Sequence, residues 1–260
     1  MRAGWNPGRR NKNVGTKAHG YGSNNKLVIP ESWHEGKCFY ERLDSYVVVR
    51  RRVANHDLTF MVEPTREGWF YPCTIEDICR ALMHLPSEHV ANFGLIVMRQ
   101  PTRKQRVLSP VWGRAVVVFD APDCSGAAIV LEAQNGEPLA WPISLSPERV
   151  RELDRLRADG HEVHKSKRRF DIFTTPDSLR NTVLYRTLLH EVGHHVDHSR
   201  RSAEEWDGLT PAEREDYAHR YAAEMLERLQ GLGVMPFARR IDDEGLLRDG
   251  LKPEWFQAMR

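Results

Sequence analysis

The chain has 260 residues and a mass of 30.1 kDa. Its 40% hydrophobic content is enough for one sizeable core, so one domain with a terminal extension, or two small domains, is expected. A formal net charge of +2 points to no partner by charge alone, and no apolar run approaches a membrane span, so no membrane association is expected. With a mean hydropathy of −0.57 and 28% charged residues, the chain reads as a soluble protein.

Residues 1–30 carry Arg2, Arg9, Arg10, Lys12, Lys17 and Lys26, with no acidic residue before Glu31. This Gly- and Asn-rich stretch reads as a disordered basic tail, either solubilising or a weak nucleic-acid contact. Residues 31–74 read as a β-rich segment, and 75–260 as the main domain. Val47–Arg52 and Thr59–Val62 are rich in β-branched and aromatic residues, and Trp69-Phe70-Tyr71 follows a Glu67-Gly68 turn signal. Together they suggest two or three antiparallel strands. Thr74 and Asp77 form a capping box for a helix over Ile75–Leu85, which Pro86 ends. Strands are expected over Asn92–Arg99, Ala115–Asp120, Ala127–Ala133 and Arg168–Thr174, with a charged helix over Arg149–Ala158 stopped by Gly160. Thr175-Pro176-Asp177 then caps a long helix. Ser199–Leu209 reads as a polar connection. Thr210-Pro211-Ala212-Glu213 opens a helix reaching about Gln230. The rest is a tail packing back through Leu246, Leu247, Trp255 and Phe256. This order gives an α+β fold with a mixed or antiparallel sheet. Cys38, Cys73, Cys79 and Cys124 show no CxxC spacing, and with no signal-peptide core the expected location is the cytoplasm.

The chemistry concentrates in His190-Glu191-Val192-Gly193-His194. At about 100° per residue the two histidines lie roughly 40° apart around a helix, so both imidazoles can reach one metal ion. Glu191 flanks that face, placed to act on water rather than on the metal. A solvated His/Glu face is the alternative, but Leu184, Leu188, Leu189, Val192 and Val196 make the other sides apolar. A helix apolar nearly all round is buried, and its ionisable groups need partners.

A catalytic zinc site normally has three protein ligands. Glu215, Ala218, His219, Ala222 and Leu226 share one face of the next helix, where small residues permit close approach to the motif helix, with Gly193 opposite. Glu215 leads that face and is the candidate third ligand. Glu213, Asp216 and Glu224 are its acidic neighbours. Asp197 is placed either to orient an imidazole or to pair with Arg200 or Arg201. His198 reads as an outer or exposed residue, and His195 as structural. Tyr217, Tyr221 and His219 are candidates for stabilising an oxyanion, with helix packing the alternative for each, and His219 is the one retained as catalytic beside Glu191.

Leu189–His194, followed by Glu215-Asp216-Tyr217-Ala218-His219, resembles the zincin metallopeptidases with a glutamate third ligand, the gluzincins. The ImmA/IrrE-type regulatory proteases and lethal-factor-type catalytic domains share such pairs, and His190–Asp197 is similar to the HExGHxxD form of the latter. The resemblance covers roughly residues 180–230. It implies a zincin-like fold, Zn2+ on His190, His194 and Glu215, Glu191 as general base, and a peptide or protein substrate pairing with a sheet edge, for which the strand over Arg168–Thr174 is a candidate. His219 departs from it, standing where these families often have Asp, Asn or Glu. Arg200 stands where metzincins have a third histidine, which excludes that class. Two rivals remain. One is a deformylase-type hydrolase using Cys124 as ligand, although the usual Gln-Gly-Cys-Leu context is absent. The other is a non-catalytic, zincin-fold regulatory or DNA-associated protein.

Overall fold

A computed structural model describes residues 43–108, 111–122 and 124–258. The basic tail of residues 1–30 lies outside them. The fold is α+β. Five strands, β1 (Val47–Val53), β2 (His56–Val62), β3 (Leu95–Arg99), β4 (Gly113–Asp120) and β5 (Ser125–Glu132), form a mixed sheet in the order β1-β2-β3-β5-β4. The inner pairs β2–β3 and β3–β5 are parallel, and the outer pairs are antiparallel. The β1–β2 hairpin turns on Ala54 and Asn55, both at positive φ (48° and 69°). That is the two-residue turn whose twist matches the flanking strands.

All five residues of β3 are buried, as expected for a central parallel strand covered on both faces. Alternation then sorts side chains between the faces. Phe60, Val62, Ile96, Met98, Ile129 and Leu131 point to the face that packs Leu188, Leu189, Val192 and Val196 of the motif helix. Met61, Leu95, Val97, Ala128 and Val130 point to the other. Because β1 and β2 belong to this sheet, the described part of the segment read as a separate β-rich stretch, residues 43–74, is continuous with the main domain.

The helices are α1 (Ile75–Leu82), α2 (Ser87–Val90), α3 (Arg103–Leu108), α4 (Pro147–Ala158), α5 (Pro176–Arg180), α6 (Leu188–Ser199), α7 (Ala203–Gly208), α8 (Pro211–Gly231) and α9 (Asp243–Arg248). A π-helical stretch, Asn181–Thr187, joins α5 to α6, so the motif helix runs unbroken from Pro176 to Ser199. The capping boxes at Thr74–Asp77 and Thr210–Glu213 form, and Thr175 forms a third with Ser178. A second, three-stranded antiparallel sheet, β6 (Leu139–Pro142), β8 (Arg169–Phe173) and β7 (Glu162–Lys165), packs with α4 around Leu153, Leu156, Phe170 and Ile172.

Several expectations need correction. Trp69-Phe70-Tyr71 is not a strand. Only Phe70 makes a β-bridge, to Gln134, because Tyr71 turns inward to give its hydroxyl to the Glu63 and Met98 carbonyls. The helix from Ile75 stops at Leu82, three residues early, although Leu85 is still buried. The polar connection contains α7, capped by Ser202 and Glu205. Leu246, Trp255 and Phe256 pack back as expected, but Leu247 is 61% exposed. The Arg168–Thr174 strand is β8, the middle strand of the small sheet. Both its edges are paired, so it offers none to a substrate. Among the described residues no helix is long and apolar enough to cross a membrane.

Candidate metal centre

The motif helix is held in place by its own neighbours. Gly193 faces α8, and a Cβ there would stand 3.1 Å from the Ala218 Cα and from Tyr221 Cβ and Cδ1. A side chain there would crowd its neighbours by a few tenths of an ångström, so glycine suits this approach. It brings α8 close enough for Glu215 to reach both imidazoles. Further back, Arg180 is buried between α1 and the C-terminal segment. It pairs with Asp77 at 2.9 Å and donates to Tyr185 Oη (2.7 Å) and the Phe237 carbonyl (3.0 Å).

Three ligand-type side chains converge. His190 Nε2 lies 3.1 Å from His194 Nε2 and 3.2 Å from Glu215 Oε2, and His194 Nε2 lies 3.5 Å from Glu215 Oε1. A tetrahedral zinc with ligand bonds of about 2.0–2.1 Å separates its ligand atoms by about 3.3–3.4 Å. These separations fall near those that such an ion requires, with Glu215 presenting a different oxygen to each imidazole, and the nitrogen-nitrogen-carboxylate donor set suits zinc. His190 Nδ1 is buried and has no hydrogen-bond partner. Hydrogen bonds from His190 and His194 hold the Glu215 carboxyl far below the usual carboxylate range. Burial alone would lower the His194 pKa, but the bond to Glu215 and the nearby Glu191 outweigh it and raise it.

Glu191 is buried on the same face, and the Ala115 backbone N–H of β4 reaches its carboxylate. Burial pushes its pKa up, against the pull of His190 and His194. A carboxylate raised in this way is better matched to accepting a proton near neutral pH. The His219 ring centroid lies 4.4 Å from that of His190, and its Nε2 stands 3.9 Å from Glu148 Oε1. Burial, then His190 and Arg155, push its pKa down to about 4, so it is a neutral imidazole with one N–H to donate.

The other sequence candidates fall elsewhere. Glu213 is spent on capping Thr210, and Asp216 lines a neighbouring cavity. Asp197 pairs with Arg201 at 2.7 Å, the second of the two roles considered for it. His195 bonds the Ala128 carbonyl (3.0 Å), and burial pushes it down to about 4, in keeping with a structural residue. His198 stacks edge-on against Trp206. Tyr217 and Tyr221 are engaged by Arg200 and His89, away from the imidazole face. Cys124 sits beside Met61 on the far face of the sheet, so the deformylase-type ligand set does not assemble.

These groups open into a cleft of about 760 Å³. One wall is β4, the outer strand of the large sheet, contributing Gly113, Arg114, Ala115 and Val117. The opposite wall comes from the small sheet and α4, with Leu139, Trp141, Arg149 and Arg155. Four of the seven tryptophans, Trp69, Trp112, Trp141 and Trp206, line it. Concentrating this residue type in one partly open cavity is typical of a binding surface. Sequence reading missed this wall. The one available signal was Arg186, one turn before His190 on the same row, which anchors α4 through Glu152 at 3.0 Å. No protein-family model, no curated protein and no solved structure matches this chain.

Proposed function

We propose that this protein is a zinc-dependent metallopeptidase of the zincin type, with His190, His194 and Glu215 as metal ligands, Glu191 as general base and peptide or protein as substrate. The observation that carries the reading is the convergence of three side chains, with the two imidazoles 3.1 Å apart and one Glu215 oxygen at 3.2 Å from His190 and the other at 3.5 Å from His194, and with the Glu191 carboxylate in the same cleft. A bound zinc ion would supply Lewis acidity to the attacking water and to the substrate carbonyl. Glu191 takes the proton of that water and passes it to the leaving amine, a role favoured by its burial. His219 is a neutral N–H donor beside the ligands and stabilises the negative charge developing on the carbonyl oxygen. Among the described residues β4 pairs with β5 alone, so its outer edge, beyond the Ala115 N–H that Glu191 takes, can receive an extended peptide through main-chain hydrogen bonds. The tryptophan-rich wall favours large apolar side chains on that peptide.

The test compares wild type with Glu191→Gln for metal content and for cleavage of a peptide library. Both proteins should hold one equivalent of zinc, and only wild type should cleave. Equal cleavage by both, or wild type without zinc, would sink the reading.

A further inference from the structure

The candidate ligands come from two helices, so metal affinity depends on what fixes α8 against α6. The Gly193 notch supplies close contact but no directionality. A roll of about 10° moves a group at the roughly 5–6 Å outer radius of a helix by about 1 Å. Metal–ligand distances tolerate only about 0.2 Å. Something must stop α8 from rolling.

A polar clamp lies at the other end of α6. Arg200, its C-cap residue, places Nη1 2.9 Å from Tyr217 Oη and Nη2 3.2 Å from His89 Nε2. His89 Nδ1 lies 2.9 Å from Tyr221 Oη. Tyr217 and Tyr221 are one turn apart on α8, so the bonds close a cycle through α6, α2 and α8. The protonation pattern follows. A guanidinium only donates, so His89 Nε2 must accept from Arg200, and the ring proton sits on Nδ1 and is donated to Tyr221. His89 and Tyr221 are both buried, so losing these bonds strands polar atoms away from water. The small helix α2 is itself anchored, because Ser87 Oγ donates to the Ala54 carbonyl at 2.8 Å and meets His56 Nε2 at 2.9 Å. The clamp is thereby referenced to the β1–β2 turn rather than to the two helices alone.

We propose that His89 and Arg200 are positioning residues that hold α8 at the rotation where Glu215 meets both imidazoles, and so set the affinity of the site for its divalent cation. The inference rests on the metal-centre reading. Neither residue is among those that line the cleft, so both act only through Tyr217, Tyr221 and the helix that carries Glu215.

The experiment measures zinc affinity by competition with a chromophoric chelator, and the visible spectrum of the cobalt-substituted protein, in wild type, His89→Leu, His89→Gln and Arg200→Met. Circular dichroism checks that each is folded. His89→Leu and Arg200→Met should weaken zinc binding by about 10- to 100-fold, the range seen when groups that orient metal ligands are lost. Both should shift the cobalt bands. His89→Gln keeps an acceptor for Arg200 and a donor for Tyr221, and should restore affinity to within a few-fold of wild type. Arg200 is exposed, so Arg200→Met should fold and decides the matter even if His89→Leu does not. Wild-type affinity and an unshifted cobalt spectrum in folded Arg200→Met would overturn the proposal, as would failure of His89→Gln to restore affinity lost in His89→Leu. A wild type that binds no zinc would instead overturn the metal centre itself.

Discussion

Gly193→Ala is the sharpest probe of the helix pair. In an exposed helix interior this change should stabilise by about 1 kcal/mol, because alanine is the better helix former. Here the added methyl would stand 3.1 Å from the Ala218 Cα and from two carbons of Tyr221. Ordinary carbon–carbon contacts lie at about 3.5–4.0 Å, so the three atoms together must retreat by roughly 0.4–0.9 Å. One of them is backbone, and Tyr221 is held at its hydroxyl by His89, so neither can swing aside alone. Overpacking of this kind costs about 1–3 kcal/mol. Set against the propensity gain, the net loss is about 1 kcal/mol, a fall in Tm of about 2–4 °C for a domain of this size. Zinc affinity should fall with it, because the retreat moves Glu215 away from the imidazoles. Differential scanning calorimetry of the metal-free protein, with chelator competition for zinc, reads both. A stabilised Gly193→Ala with wild-type zinc affinity would show that the interface has slack and refute the reasoning.

Three other outcomes are expected. Zinc at about a thousand times its Kd should raise stability by about 4 kcal/mol, a Tm increase of roughly 8–16 °C, and Glu215→Ala should lose most of that increase. A thermal shift of equal size in the variant would remove Glu215 from the ligand set. Asp77→Ala leaves the buried Arg180 guanidinium without its carboxylate and should destabilise by about 3–5 kcal/mol in urea titrations. Adding Arg180→Met should recover part of the loss, and a cost under about 1 kcal/mol would contradict the burial argument. His161 is buried between the hydroxyls of Ser178 and Thr182, and burial lowers its pKa, with Arg186 adding to the effect and Asp159 opposing it. Because the folded protein then favours the neutral ring, this contribution is fully present above the unfolded pKa of about 6.5 and is lost as pH falls below it. The stability difference between pH 7.5 and pH 5.5 should therefore shrink in His161→Gln, and an unchanged difference would exclude the mechanism.

Local signals read well where the physics is local. The Thr74, Thr175 and Thr210 caps, the hairpin strands of β1 and β2, and the shared row of His190 and His194 depend on residues within a turn or two of each other. All are visible in the chain and present in the fold. The choice of Glu215 over Glu213 and Asp216 also rested on local periodicity, and Glu215 is the acid that meets the imidazoles. What failed was long-range. Trp69-Phe70-Tyr71 has the composition of a strand, yet it pairs through a single bridge, Phe70 to Gln134, because Tyr71 turns inward to the Glu63 and Met98 carbonyls. β6 and β7 are four-residue strands whose existence depends on β8 lying between them, and four residues carry too little alternation to announce a strand.

The sequence by itself determined which candidate ligands share a helix row. HExxH spacing, the small-residue face of α8 and Gly193 are covalent facts about which side chains share a side of a helix, and helix geometry turns them into a two-histidine, one-glutamate set. The tertiary structure alone decided what surrounds that set. It made β4 rather than β8 an outer strand of its sheet among the described residues, brought Trp112, Trp141 and α4 to the cleft, and joined Arg200 to Tyr217 and His89. Sheet order and packing between elements far apart in the chain are collective outcomes of burying both faces of β3. No short window of residues encodes them.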